Sequence, residues 1–274
     1  MSHALFPPLP AAHNTGDKPA PRVNLGLRPG LLVGLALLAL LAFVLVLLLG
    51  SVTIPPQQIL AVLLGGEAEK SSWTNIILKV RLPRALTALL AGAALSVSGL
   101  LMQTLFRNPL AAADVLGVNS GASLGVALVV LAYGTTGGAL LAGFGLAGDL
   151  SLAAAAMLGA GVTLSLILLI ARRLESGLPL LLLGVMIGQL TFALVSLLIY
   201  FSVPERIQAY INWGFGSFNG VTWAQMPILA GAVLAGLAAA LCLGKPLNVL
   251  LTGEAYAASM GLHVRRSRQA IIIT

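Results

Sequence analysis

Few residues in this chain are placed to do chemistry, and their surroundings limit what that chemistry is. Ser96, Ser98 and Ser196 are hydroxyls set in long apolar runs, but those runs hold no His and no Asp to serve as a base. A membrane hydrolase of the Ser-His or paired-Asp kind therefore cannot be built from them. His3 and His13 stand ten residues apart in a polar, Pro-rich start and make a poor metal pair. Cys242 has no second Cys to pair with and lies in an apolar run, where it acts as a small hydrophobe. Gly244-Lys245 leads into Pro246 instead of the Ser or Thr that closes a phosphate-binding loop, so no nucleotide site is expected. What remains is a set of neutral polar groups (Gln103, Asn108, Asn119, Ser120 and Gln189), a cluster of cations at 70–84, and a charged loop at 245–268.

The elements that position these groups belong to a membrane. The chain is 58% hydrophobic and 8% charged, against about a quarter charged in soluble domains. Runs free of Asp, Glu, Lys, Arg and His cover 31–50, 85–106, 115–133, 151–171, 178–203 and 224–244. Each is close to the roughly 20 residues that a helix rising about 1.5 Å per residue needs to cross about 30 Å of hydrocarbon. The expectation is an all-α, polytopic helical bundle with six complete spans and the start of a seventh near Ala270. β-barrel strands would be shorter and would alternate apolar with polar residues. Residues 1–29 are expected to be a disordered cytosolic tail, and 30–274 an incomplete transmembrane domain.

With the N-terminus inside, the inner segments hold ten Lys and Arg: Lys18, Arg22, Arg28, Arg107, Arg172, Arg173, Lys245, Arg265, Arg266 and Arg268. The outer segments hold five: Lys70, Lys79, Arg81, Arg84 and Arg206. That bias favours a cytosolic N-terminus. It also explains the net charge of +7 without nucleic acid, because the cations sit at helix ends. Trp73, Trp213 and Trp223, with Tyr133, Tyr200 and Tyr210, then form an outer aromatic belt. Ion coupling usually needs an ionisable relay at membrane depth, and the nearest such group, Asp114, lies at the inner mouth. A separate energising subunit is the economical alternative to an ion-coupled secondary transporter.

The inner loop KPLNVLLTGEAYAASMGLHVRRSR supports that view. Thr252 can cap a short helix, Glu254 stands in its first turn, and Gly261 can end it in the left-handed conformation. The expected product is an exposed helix with apolar Ala257, Ala258 and Met260, followed by Arg265, Arg266 and Arg268. An ordinary chain reversal does not need such a structured knob.

These segments carry a resemblance. RLPR at 81–84, GAALSVSGLLMQTLFRNPLA at 92–111, LGVNSGASLG at 116–125, LLLLGVMIG at 180–188, WGFGS at 213–217 and GEAYAASMGLHVRR at 253–266 are similar to the FecCD-type permease subunits of binding-protein-dependent ABC importers. Those importers take up iron-siderophore complexes, haem and cobalamin. Ala113 stands where the family usually has a Pro. The resemblance implies a bacterial inner-membrane, multi-pass permease that forms a homodimer, or pairs with a paralogous permease. Two cytosolic ABC ATPases would carry ATP and Mg, and a periplasmic or lipid-anchored binding protein would dock outside. No cofactor would be held by this chain itself. An iron-siderophore chelate leads as substrate, with haem or cobalamin as alternatives. Gly253, Glu254, Ala257 and Gly261, followed by Arg265 and Arg266, fall on the ATPase-coupling loop, and Arg81 and Arg84 on the docking rim. Gln103, Asn108, Asn119, Ser120 and Gln189 are the pathway candidates. Gly117, Gly121 and Gly125, four residues apart, together with Gly184 and Gly188, suit close helix packing. Family members have about ten spanning helices, so later helices are expected beyond Thr274, whether the chain is a fragment or a truncated product.

Overall fold

The computed structural model describes residues 28–133, 149–171, 173, 177–218 and 220–274. Most of the expected tail, with His3 and His13, lies outside the described residues, as do Arg172 and the side chain of Tyr133. Residues 1–44 and 45–274 are two compact units. The described part of the first is the apolar beginning of helix α1 (Pro29–Leu48).

The second unit continues with α2 (Pro56–Leu63), α3 (Ser71–Ile76), a π-helical turn at Ile77–Arg81 and α4 (Leu82–Phe106). Next come α5 (Val118–Ala127), a second π turn at Leu128–Tyr133, α6 (Asp149–Ala171) and α7 (Gly177–Tyr200). It ends with α8 (Pro204–Gly214), α9 (Met226–Cys242), α10 (Gly244–Leu251), α11 (Glu254–Ser259) and α12 (Val264–Ile273). Among the described residues every regular element is helical, in agreement with an all-α bundle.

The spans are less uniform than six apolar runs suggest. Among the described residues four stretches are long and apolar enough to cross a bilayer: α1, the continuous Ser71–Phe106, Ser151–Ala171 and Pro179–Tyr200. The run at 224–244 ends in a bend of 54° between α9 and α10, so it counts as a fifth span only if the bent pair is taken together. The run at 115–133 is also shorter as a helix, covering Val118–Ala132. Gly117, at φ 70°, holds a left-handed turn that consumes the start of that run before α5 begins.

Small residues set the closest packing. A Cβ on Gly125 would collide with the carbonyl of Ala155, and one on Gly159 with the carbonyl of Gly121. On Gly121 it would reach the Thr163 hydroxyl and lie 2.7 Å from the Gly159 carbonyl. α5 and α6 therefore meet backbone to backbone, which only small side chains allow. Gly117 takes a different partner, since its Cβ would stand 2.9 Å from the carbonyl of Gly184 on α7. The three glycines thus serve two helices.

A buried cluster gathers Leu101, Met102 and Leu105 of α4 with Ile167 of α6, Leu180 of α7 and Ile271 of α12. It lies toward the Arg107 end of α4. There the amide of Asn108 donates to the Gln103 carbonyl at 3.1 Å and that of Arg107 to the Thr104 carbonyl at 3.3 Å. This pair of bonds closes the helix with Arg107 in the left-handed region at φ 49°, a position usually given to Gly.

Candidate translocation pathway and coupling loop

Four of the five pathway candidates divide between two clefts. The larger, about 1190 Å³, is walled by α4, α5 and α12 and takes Gln103 and Asn119, with Ser96, Asp114 and Thr274. The other, about 560 Å³, lies between the turn before α5 and α7, and takes Ser120 and Gln189, again with Asp114. Asp114 is exposed and borders both. Asn108 does not line either cleft. Its Oδ1 accepts from the Leu110 amide at 2.9 Å, so its side chain closes the Asn-Pro turn that follows α4.

Arg81, expected with Arg84 on a docking rim, is turned inward. It is 6% exposed, and its Nη1 donates to the carbonyls of Leu47 at 2.7 Å and Leu48 at 3.1 Å. Nη2 donates to the carbonyl of Val52. These carbonyls lie at and just beyond the C-terminus of α1, where backbone acceptors lack helical partners. Arg81 is thus a cap in trans for another helix, and Gly50 leaves room for it, since a Cβ there would stand 2.8 Å from Nη2. Arg84, one turn on, is exposed, as are Lys70 and Lys79, and Lys70 sits over the Trp73 ring at 5.0 Å. The same end holds a second clamp. Trp223 Nε1 donates to the carbonyl of Leu78 at 2.7 Å, inside the first π turn. Arg206 Nη1 reaches the Leu131 carbonyl at 3.3 Å in the second π turn. Wide π turns leave carbonyls off the regular α-helical ladder, and distant side chains take them.

At the opposite end of α4 the loop 245–268 folds into α10, α11 and the start of α12. Thr252 does not cap α11. Its Oγ1 donates to the Val249 carbonyl at 2.7 Å, finishing α10 instead. The residue before α11 is Gly253, at φ 114° and ψ 148°, with no side-chain cap. Gly261, at φ 84°, does end α11. Its amide donates to the Ala258 carbonyl and that of Leu262 to the Ala257 carbonyl, both at 3.0 Å, which is the paired C-terminal closure that a left-handed Gly permits. Ala257 is fully buried, contrary to the expected exposed apolar face. The exposed face is Tyr256, Ala258, Ser259 and Met260, with Arg265 and Arg266 beyond it. Tyr256 and Met260 are 58% and 59% exposed, which makes them the projecting groups.

Two arginines that the sequence placed only as inner-face cations make specific contacts here. Arg268 Nη2 donates to Glu254 Oε1 at 2.7 Å. Arg107, already strained at the end of α4, brings its Nη1 within 3.6 Å of where a Gly253 Cβ would be. The opposite charges of residues 254 and 268 were visible in sequence, but three arginines in four positions competed for the pairing.

Similarity to known proteins agrees with this arrangement. The model of the FecCD transport family matches residues 37–274. The vitamin B12 import system permease protein BtuC of Klebsiella pneumoniae is 35% identical over 242 residues, covering 88% of this chain and 67% of that protein. BtuC of Salmonella typhi is 36% identical over 243 residues, covering 88% and 68%. Among solved structures, a metal-chelate type ABC transporter in an inward-facing conformation superposes with a TM-score of 0.70 at 30% identity, covering 89% of this chain and 71% of that one. Helices, small-residue contacts and family match converge: this chain is a permease of an ABC importer and belongs to the FecCD transport family.

Proposed function

We propose that the chain passes a preformed metal chelate across a bacterial inner membrane, with a cobalamin as the leading cargo. The observation that carries this reading is the wall of the larger cleft. Neutral groups (Ser96, Gln103 and Asn119) and a single carboxylate, Asp114, are spaced over a mainly aliphatic surface in about 1190 Å³, more than the roughly 300–1,000 Å³ of drug-sized sites. Amides and hydroxyls of this kind wet a bulky metal-organic complex without competing for its metal. The vitamin B12 permeases among the relatives favour a corrinoid within that class. An iron-siderophore chelate is the second reading, supported by the metal-chelate type of the structural neighbour.

Energy and selectivity reside in partners. Two cytosolic ATPases bind the exposed face of α11 and use ATP with Mg. A substrate-binding protein docks at the end that carries Arg84. A second permease, this chain's own copy or a paralogue, completes the conduit, and the N-terminus is cytosolic.

The test is uptake by cells that lack their own permease and express the importer with its partners. Labelled cyanocobalamin and a ferric siderophore are compared, each with an active and a hydrolysis-dead ATPase. Cobalamin uptake that needs the active ATPase is the expected result. Siderophore uptake alone transfers the assignment to the second reading, and uptake of neither overturns the chelate proposal.

A further inference from the structure

The geometry points to Glu254 and Arg268 as a positioning pair, a strut that carries movement of α11 into both walls of the larger cleft. This rests on reading the exposed face of α11 as the ATPase contact. Glu254 sits where a surface anchor would be sought, yet its carboxylate is turned to Arg268, whose side chain is 5% exposed against 35% for Glu254. A pair with one arm so buried is held in a single geometry, unlike a fully exposed pair that solvent screens. From Arg268, Ile271 and Ile272 are three and four residues on and therefore share its helix face. Both are buried in the cluster that α4 and α6 share, and the residues from Ile271 to Thr274 form part of the cleft wall.

A second tie acts on the other wall. The start of α11 is Gly253, and the exposed Arg107 guanidinium comes within ordinary contact distance of it, 3.6 Å from where a Cβ would stand. Arg107 ends α4, which supplies Ser96 and Gln103 to the same cleft. The first residues of α11 are thus held by α12 through an ion pair and abutted by α4 through Arg107. Tyr256 and Met260 project on its exposed side while Ala257 is buried behind them. A push on Tyr256 and Met260 therefore reaches the α12 wall through the ion pair and the α4 wall through the side-chain contact of Arg107.

The test uses the importer assembled with its ATPase and binding protein in lipid vesicles. Glu254→Gln and Arg268→Gln, each alone, are expected to keep the ATPase bound by native mass spectrometry, while substrate moved per ATP hydrolysed falls about tenfold, a usual size for an intersite coupling. The exchange of Glu254→Arg with Arg268→Glu is expected to recover most of that ratio. Tyr256→Asp is the companion variant and is expected to release the ATPase. An ATPase that stays bound to Tyr256→Asp refutes the contact reading on which the strut depends. Bound ATPase with an unchanged transport ratio in both neutral variants overturns the strut while the contact reading stands. If a neutral variant does not fold, the exchange decides: recovery of coupling supports the strut, and an assembled but uncoupled exchange variant overturns it.

Discussion

The guanidinium of Arg81 lies 2.7 Å from the carbonyl of Leu47, 34 residues earlier in the chain. With its bonds to Leu48 and Val52 it closes the end of α1 from outside that helix. Charged hydrogen bonds contribute about 1.5–3 kcal/mol each, and buried carbonyls left unmatched add to the loss. Arg81→Gln is therefore expected to destabilise the protein by about 3 kcal/mol, read as a lower midpoint of thermal unfolding in detergent. A midpoint equal to wild type would show that water replaces the guanidinium without loss.

Arg84 and Arg81 separate by role. Arg84→Glu is expected to slow association of the binding protein by about tenfold at low salt and by much less near 0.5 M, because rim charges act on encounter and are screened. Arg81→Gln should leave the salt slope of that rate unchanged. A salt slope reduced by Arg81→Gln and not by Arg84→Glu would reverse the assignment. Surface plasmon resonance over a salt series measures both.

Gly125 touches the Ala155 backbone and Gly161 has nothing within 4 Å, although both stand in apolar helices. Gly125→Val must separate α5 from α6 and is expected to cost about 3 kcal/mol or more. Gly161→Ala is expected to be neutral or to stabilise by up to about 1 kcal/mol through helix propensity. Yields of folded protein after mild heating, followed by size-exclusion chromatography, distinguish the two.

Gly261 ends α11 at φ 84°. Gly261→Ala places a Cβ in the left-handed region at a cost of about 1 kcal/mol. The last turn of α11 is then expected to exchange its amide hydrogens about fivefold faster, with the amides of Ala258 to Met260 as reporters. Protection equal to wild type would show that the turn relaxes without strain.

Much of the fold was legible in residue type alone. Each of the six charge-free runs is largely helical, because backbone groups in hydrocarbon must find partners within their own segment. The left-handed turn at Gly261 was equally readable, since few residues other than Gly enter that region without strain. Thr252 shows the limit of local reasoning. A hydroxyl beside two helices can finish one or begin the other, and the packing of α10 selected the Val249 carbonyl.

Residue types and order by themselves determined the membrane class, the FecCD motifs and the compact loop at 245–268, because hydropathy, turn chemistry and motif spacing are properties of short stretches. Tertiary structure alone decided where the side-chain charges went. Arg81 and Arg84 look alike in the segment RLPR, yet one is buried against Leu47 and the other is exposed. Arg265, Arg266 and Arg268 are close neighbours, yet among the three the short ion pair to Glu254 is made by Arg268. A long guanidinium finds carbonyls or a carboxylate far away in sequence, and only the packing of whole helices brings those partners within 3 Å.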